Sequence, residues 1–94
     1  MIQAYPQQKK SIATTLKKAS SHLETICEMV QNNDYCIDIL QQMKAVHGLL
    51  HAAMDQTLEL HLMSCFKKGM ESASEKRKQE LLNEIIQVTK MANK

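Results

Sequence analysis

Three observations predict an all-α fold. Leu, Met, Ala, Lys, Gln and Glu, all good helix formers, are abundant, while aromatic residues make up only 3% of the chain. Two glycines and one proline leave few places for the backbone to turn. Apolar residues recur at alternating spacings of three and four over long stretches, the period of a helix face and not of a strand. A chain of 94 residues makes one domain with a modest core, so residues 1–94 read as a single helical unit.

Residues 1–7 read as an N-terminal arm, with Pro6 placed near a helix start. A first helix is expected over about 8–31, with the apolar stripe Ile12, Leu16, Ala19, Leu23, Ile26 and Val30. Asn32, Asn33 and Asp34 break it, and Asp34 is placed to cap the next helix. A second helix is expected over about 35–68. One of its stripes holds Cys36, Leu40, Met43, His47, Leu50, Met54, Leu58, His61 and Cys65. Lys67 and Lys68 suit a helix C-terminus, and Gly69 suits the position just beyond it. A third helix is expected over about 74–92. It is introduced by the capping-box spacing of Ser72 and Glu75 and has Leu81, Leu82, Ile85, Ile86 and Thr89 as its apolar face.

The central helix sets the assembly. Some 33 residues at ~1.5 Å rise make a rod of about 50 Å, whereas a compact chain of this size is only about 25 Å across. The rod must overhang its own protomer, and its apolar stripe continues to both ends. The chain is therefore expected to oligomerise, with the first two helices of two protomers pairing antiparallel in a four-helix bundle.

Composition narrows the function. No apolar run approaches the ~18 residues of a membrane span, and Met1 to Leu16 lacks the apolar core of a signal peptide. Three cysteines then read as reduced thiols in a cytoplasm, not as a disulfide framework. There is no glycine-rich phosphate loop and no acid–base pair with a pocket to serve, so an enzyme is not expected. Residues 1–23 carry Lys9, Lys10, Lys17 and Lys18 and no acid, a segment suited to phosphates, while the remainder is net negative.

The candidate ligands lie at the two ends of the rod. Cys36 and His61 are roughly 37 Å apart on one helix and cannot share a metal within a protomer. His61 and Cys65 are four apart, on one face, and can chelate together. In an antiparallel dimer Cys36 meets the partner's His61 and the partner's Cys65, which makes two sites per dimer. Two thiolates and an imidazole form a soft, low-coordinate set that favours Cu(I) and can also hold Zn(II). Structural Cys and His residues are the alternative reading of each element taken alone. Cys27 has no partner in this trio and is expected to pack inside. His47 and His51 are a second i, i+4 pair that could chelate a metal, although one packed and one surface histidine is the expectation.

Together, TLKKASSHLETICEMVQNNDYC, YCIDILQQMKAV (35–46) and HLMSCF (61–66) resemble the CsoR/RcnR/FrmR family of bacterial metal- and formaldehyde-responsive transcriptional repressors. The resemblance covers residues from about 12 to 86, and the spacing of Cys36, His61 and Cys65 is similar to that of the copper-sensing branch. It implies a three-helix protomer, an antiparallel four-helix-bundle dimer and usually a dimer of dimers. It also implies an inter-subunit Cu(I) site and release of operator DNA when the inducer binds. Tyr35 matches the tyrosine that accompanies the first cysteine in such sensors, and Glu80 is the best match for their third-helix glutamate, both linking the ligating histidine to the DNA-binding surface.

The chain departs from that pattern in its basic residues. Arg77 is the only arginine, whereas the first helix of relatives is rich in Arg, and SSHLET (20–25) stands where they carry a Gly-Gln-Val-type segment. Lysines neutralise phosphates without the bidentate base contacts of arginine. The expected DNA contacts are Lys9, Lys10, Lys17 and Lys18, with His47 as a weaker one. Nickel or cobalt sensing would add N-terminal histidines and replace the last cysteine. Formaldehyde sensing would place a proline where Ile2 stands, and persulfide sensing would not need His61. The rival reading is a metal-binding helical oligomer that has lost specific DNA binding.

Overall fold

The computed structural model describes residues 5–92, the side chains of Cys65, Ser72 and Ala92 excepted. The elements are α1 (Pro6–Gln31), α2 (Cys36–His61), a π-helical segment (Leu62–Phe66), α3 (Lys67–Ser72) and α4 (Glu75–Ala92), with no strand among the described residues. No helix among them is long and apolar enough to cross a membrane.

Pro6 occupies the first turn of α1, where its missing N–H costs nothing. The helix therefore begins inside the segment expected to be an arm. Residues 1–4 of that arm lie outside the described residues. At its C-terminus Asn33 takes a left-handed φ of 58°. The Asp34 N–H donates to Met29 O at 3.0 Å and the Asn33 N–H to Val30 O at 3.2 Å. This is a Schellman turn, with Asn33 in the position glycine usually fills. Asp34 is thus the last residue of a C-cap and not the N-cap of α2. Tyr35 precedes that helix and makes no side-chain cap bond.

The rod is longer than expected. Leu62 and Lys67 both keep right-handed helical dihedrals, so α2, the π segment and α3 run on through 26, 5 and 6 residues. At ~1.5 Å per residue that is about 55 Å, close to the 57 Å long axis of the molecule. Gly69 does not end the helix and has no positive φ. A Cβ there would lie 2.8 Å from Leu81 Cδ1, so its role is to let α4 approach. The N-cap of α4 is Ser74 and not Ser72: the Arg77 N–H donates to Ser74 Oγ at 3.3 Å, and the Lys78 N–H to Ser74 O at 2.9 Å.

α1 and α2 pack side by side, antiparallel, along a heptad line. Ala19 and Ile26 of α1 and Val46 of α2 form the core cluster, with Ile39 and Leu49 against it. Ala53 and Leu60 continue the α2 line, and Leu60 is the most deeply buried large side chain. The expected α1 stripe therefore divides. Ala19 and Ile26 turn inward, whereas Leu16, Leu23 and Val30, each about 45–53% exposed, do not. On α2, Leu40, Met43, Leu50 and Met54 are likewise exposed. The α4 face is also shifted: Leu81 is buried, Ile85 and Val88 are half-buried, and Leu82, Ile86 and Thr89 are exposed.

The molecule measures 57 × 27 × 14 Å, with a radius of gyration of 17.6 Å, against about 12–13 Å for a compact chain of this length. A slab 14 Å thick is little more than one helix diameter of ~10–12 Å. One layer of helices buries one seam and leaves an apolar face open.

Candidate metal centre and nucleic-acid interface

Cys36 is the first residue of α2 and is exposed, as is Tyr35 before it. His61 is the last residue of the same helix. The rod therefore holds Cys36 and His61 apart, and among the described residues no three His, Cys, Asp or Glu side chains converge within one protomer. The backbone of Cys65 lies in the π segment, which follows directly on His61, while its side chain is outside the described residues. A π turn interrupts the i→i+4 ladder of an α-helix, and side-chain donors reinforce it here. Ser64 Oγ–H donates to Leu60 O at 2.7 Å, and Tyr5 O–H reaches across from the start of α1 to Met63 O at 3.0 Å.

His61 opens into an apolar groove of about 520 Å³ between α1, α2 and α4, lined among others by Leu16, Leu50, Met54, Glu84 and Val88. Its Nε2 lies 3.8 Å from Glu84 Oε1. Glu80 is engaged elsewhere, 3.2 Å from Arg77 Nη1 on its own helix. The acidic side chain that α4 brings to His61 is thus Glu84 and not the expected Glu80. The signal was available: Glu84 sits three residues after Leu81 and four before Val88, on the face that meets the rod. The expected face of Leu81, Leu82, Ile85, Ile86 and Thr89 straddles two phases of the helix; only Leu81 and Ile85 of it turn inward, with Val88, and that phase is the one that carries Glu84.

The remaining candidates divide by helix face. Lys10 and Lys17 are seven apart on the side of α1 opposite Ala19 and Ile26, and Lys9 and Lys18 flank them; all four are exposed. His47 is exposed, not packed, and shares the open apolar stripe of α2. His51 is also exposed, with Nδ1 3.3 Å from Asp55 Oδ2. His22 Nε2 meets Gln42 Oε1 at 2.6 Å and ties α1 to α2. Cys27 is exposed and not inside, because the inward position is taken by its neighbour Ile26, 100° away around the helix.

The thiols of Cys36 and Cys65 with the imidazole of His61 fit a soft, low-coordinate metal, provided two chains supply them. Residues 8–91 match the model of a family described as metal-sensitive transcriptional repressor. The chain belongs to this family. It is similar to the copper-sensing transcriptional repressor CsoR of Mycobacterium ulcerans, 32% identical over 82 residues, which cover 87% of this chain and 68% of that protein. The CsoR of Bacillus subtilis is 32% identical over 88 residues, 94% of this chain and 84% of its own. The copper-sensing repressor RicR of Mycobacterium tuberculosis is 32% identical over 66 residues, 70% and 69% of the two chains. No solved structure matches. In this repressor the only arginine lies on α4, beside Glu80, and not on the basic segment of α1.

Proposed function

We propose that this repressor senses Cu(I), with operator DNA held by the apo assembly and released when the metal site fills. The observation that carries the reading is the position of the ligands: Cys36 and His61 at opposite ends of one rod, beside a face left open on a slab one helix thick. An antiparallel second copy covers that face and brings Cys36 to the partner's His61 and the partner's Cys65. The protomers form a dimer, and two dimers a tetramer. Two thiolates and an imidazole in a low-coordinate set favour Cu(I), with Zn(II) or Ni(II) as the alternative occupants. The names of the similar repressors support the same metal. Formaldehyde sensing would need a proline where Ile2 stands, and persulfide sensing would need only the two thiols and leave His61 without a task.

Cys36 of one protomer with the partner's His61 and the partner's Cys65 would hold Cu(I), which would supply a bond between one protomer and the next. The chain's own residues carry that link to α4. His61 already presents Nε2 toward Glu84, so ligation through Nδ1 leaves an Nε2–H to donate to that carboxylate and fixes the ring between metal and helix. Tyr35, next to Cys36, stands at the other side of the same centre, and Glu80 belongs to this relay only through its place on α4. Glu84→Gln is expected to keep one Cu(I) per chain, to weaken it by about 10–100-fold, and to reduce copper-driven DNA release by more than it reduces DNA affinity. Paired chelator-competition and anisotropy titrations measure both.

His47, expected as a weaker DNA contact, lies instead on the α2 stripe that a second copy would cover; DNA contact falls to Lys9, Lys10, Lys17 and Lys18. Fluorescence anisotropy with DNA from the repressor's own promoter tests it across a range of salt. Each lysine that neutralises a phosphate contributes about −0.9 to the slope of log affinity against log salt. Lys10→Ala with Lys17→Ala is thus expected to flatten the slope by nearly 2 per protomer engaged. Weak, sequence-independent binding that disappears at moderate salt would favour the rival reading, a metal-binding helical oligomer without an operator.

A further inference from the structure

The Cys-His-Cys reading leaves two histidines of α2 unexplained. His47 and His51 are four residues apart, one helical turn, and both are exposed. His51 Nδ1 faces Asp55 Oδ2 at 3.3 Å, which leaves Nε2 at the free edge of the ring. A carboxylate on one ring nitrogen is the usual way a ligating histidine is oriented for a metal on the other. His47 lies on the stripe of exposed apolar residues with Leu40, Met43, Leu50 and Met54. Covered by a second copy, a lone imidazole there would be a buried polar group without a partner, which is costly.

The register supplies the partner. When Cys36 faces the partner's His61, the two-fold axis crosses α2 between Gly48 and Leu49. When it faces the partner's Cys65, the axis crosses between Leu50 and His51. Across that range His47 lies opposite the segment from Leu50 to Met54 of the partner subunit, and the partner's His51 falls within it. Helix axes packed at 8–10 Å let imidazoles from both rods reach a common point.

We propose that His47 and His51 of two protomers form a four-imidazole Zn(II) site on the dimer axis, with Asp55 as a positioning residue. The proposal rests on the antiparallel dimer described above. One protomer offers only two ligands, so the site is incomplete without the second copy. Four nitrogen donors in a closed tetrahedral set suit a structural Zn(II) and lack the thiolates that Cu(I) prefers. Such a site is chemically separate from the Cys-His-Cys centres at the ends of the rod and fixes the crossing of the two rods.

The test is a Zn(II) titration against a chromophoric chelator, run without oxygen on protein already loaded with Cu(I), with light scattering on the same samples. The expected result is one further Zn(II) per dimer, abolished by His47→Ala and by His51→Ala. Asp55→Asn is expected to keep that stoichiometry and weaken the binding by about 10–100-fold, which a merely structural aspartate would not do. Co(II) in place of Zn(II) is expected to show tetrahedral visible bands without thiolate charge transfer. Dimers that take up no zinc beyond their copper would overturn the proposal and leave the dimer standing. So would uptake of one Zn(II) per chain, or uptake indifferent to both histidines. A monomer by light scattering would overturn the dimer and this site together.

Discussion

Cys36→Ala is expected to remove tight Cu(I) binding from both ends of the dimer, by more than the ~10–100-fold that loss of a mere hydrogen-bond partner of a ligand costs. A chelator-competition titration reads the loss. His61→Ala with Cys65→Ala is expected to do the same. The sharper expectation concerns their mixture. In a heterodimer of the two variants one site has lost every ligand, while the other keeps Cys36 from one chain and His61 and Cys65 from the other. Co-refolding the two inactive variants should therefore restore Cu(I) binding at one ion per heterodimer. Copper uptake that stays absent in the mixture, in heterodimers verified by mass, rules out a bridging centre. Full binding by either variant alone rules it out as well.

The second large effect concerns the open face. Leu23 and Leu50 are 48% and 41% exposed in the protomer, so neither supports the α1–α2 seam, which is built on Ala19 and Ile26 of α1 and on Val46, Ala53 and Leu60 of α2. Leu23→Lys with Leu50→Lys is expected to leave helix content intact. It would set charges into the seam between copies, where an unpaired charge is strongly unfavourable. Analytical ultracentrifugation should then report a monomer. Copper affinity should fall with it, because the centre is divided between chains, and DNA affinity should fall because the lysines no longer act in concert. A variant that stays oligomeric would show that the copies meet elsewhere.

The readable part of this chain was its long-range pattern. The alternation of three and four along residues 36–65 predicted a rod, and the length of the rod predicted an elongated protomer with surplus apolar surface, which the 17.6 Å radius of gyration matches. Details decided by only one or two backbone hydrogen bonds were not readable. The Asn-Asn-Asp run marked a break but not its chemistry: the left-handed Asn33 closes a Schellman turn, and Asp34 donates its N–H backward in place of capping forward. The π segment leaves no trace in composition, since its dihedrals remain right-handed helical at both ends. Gly69 carried the composition of a helix stop, yet it serves the close approach of Leu81.

The candidate site followed the same division. Cys36, His61 and Cys65 stood out because their residue types and their places on the rod were both informative. Glu84 did not stand out, because its recognition depends on the phase of α4, and two adjacent pairs, Leu81–Leu82 and Ile85–Ile86, allow either of two faces. Burial of Leu81 with Ile85 and Val88 half-buried selects one. Cys27 is a different case: its residue type favours burial, but Ile26 on the same α1 stripe already holds the inward position and leaves Cys27 exposed.

The measurement closest to the central claim is an anaerobic Cu(I) titration of the preformed complex between the protein and its own promoter DNA, followed by fluorescence anisotropy at fixed salt. The account predicts complete release, with an endpoint at one Cu(I) per chain. A complex that persists with the Cys-His-Cys sites filled, in protein shown to hold one Cu(I) per chain, would contradict it.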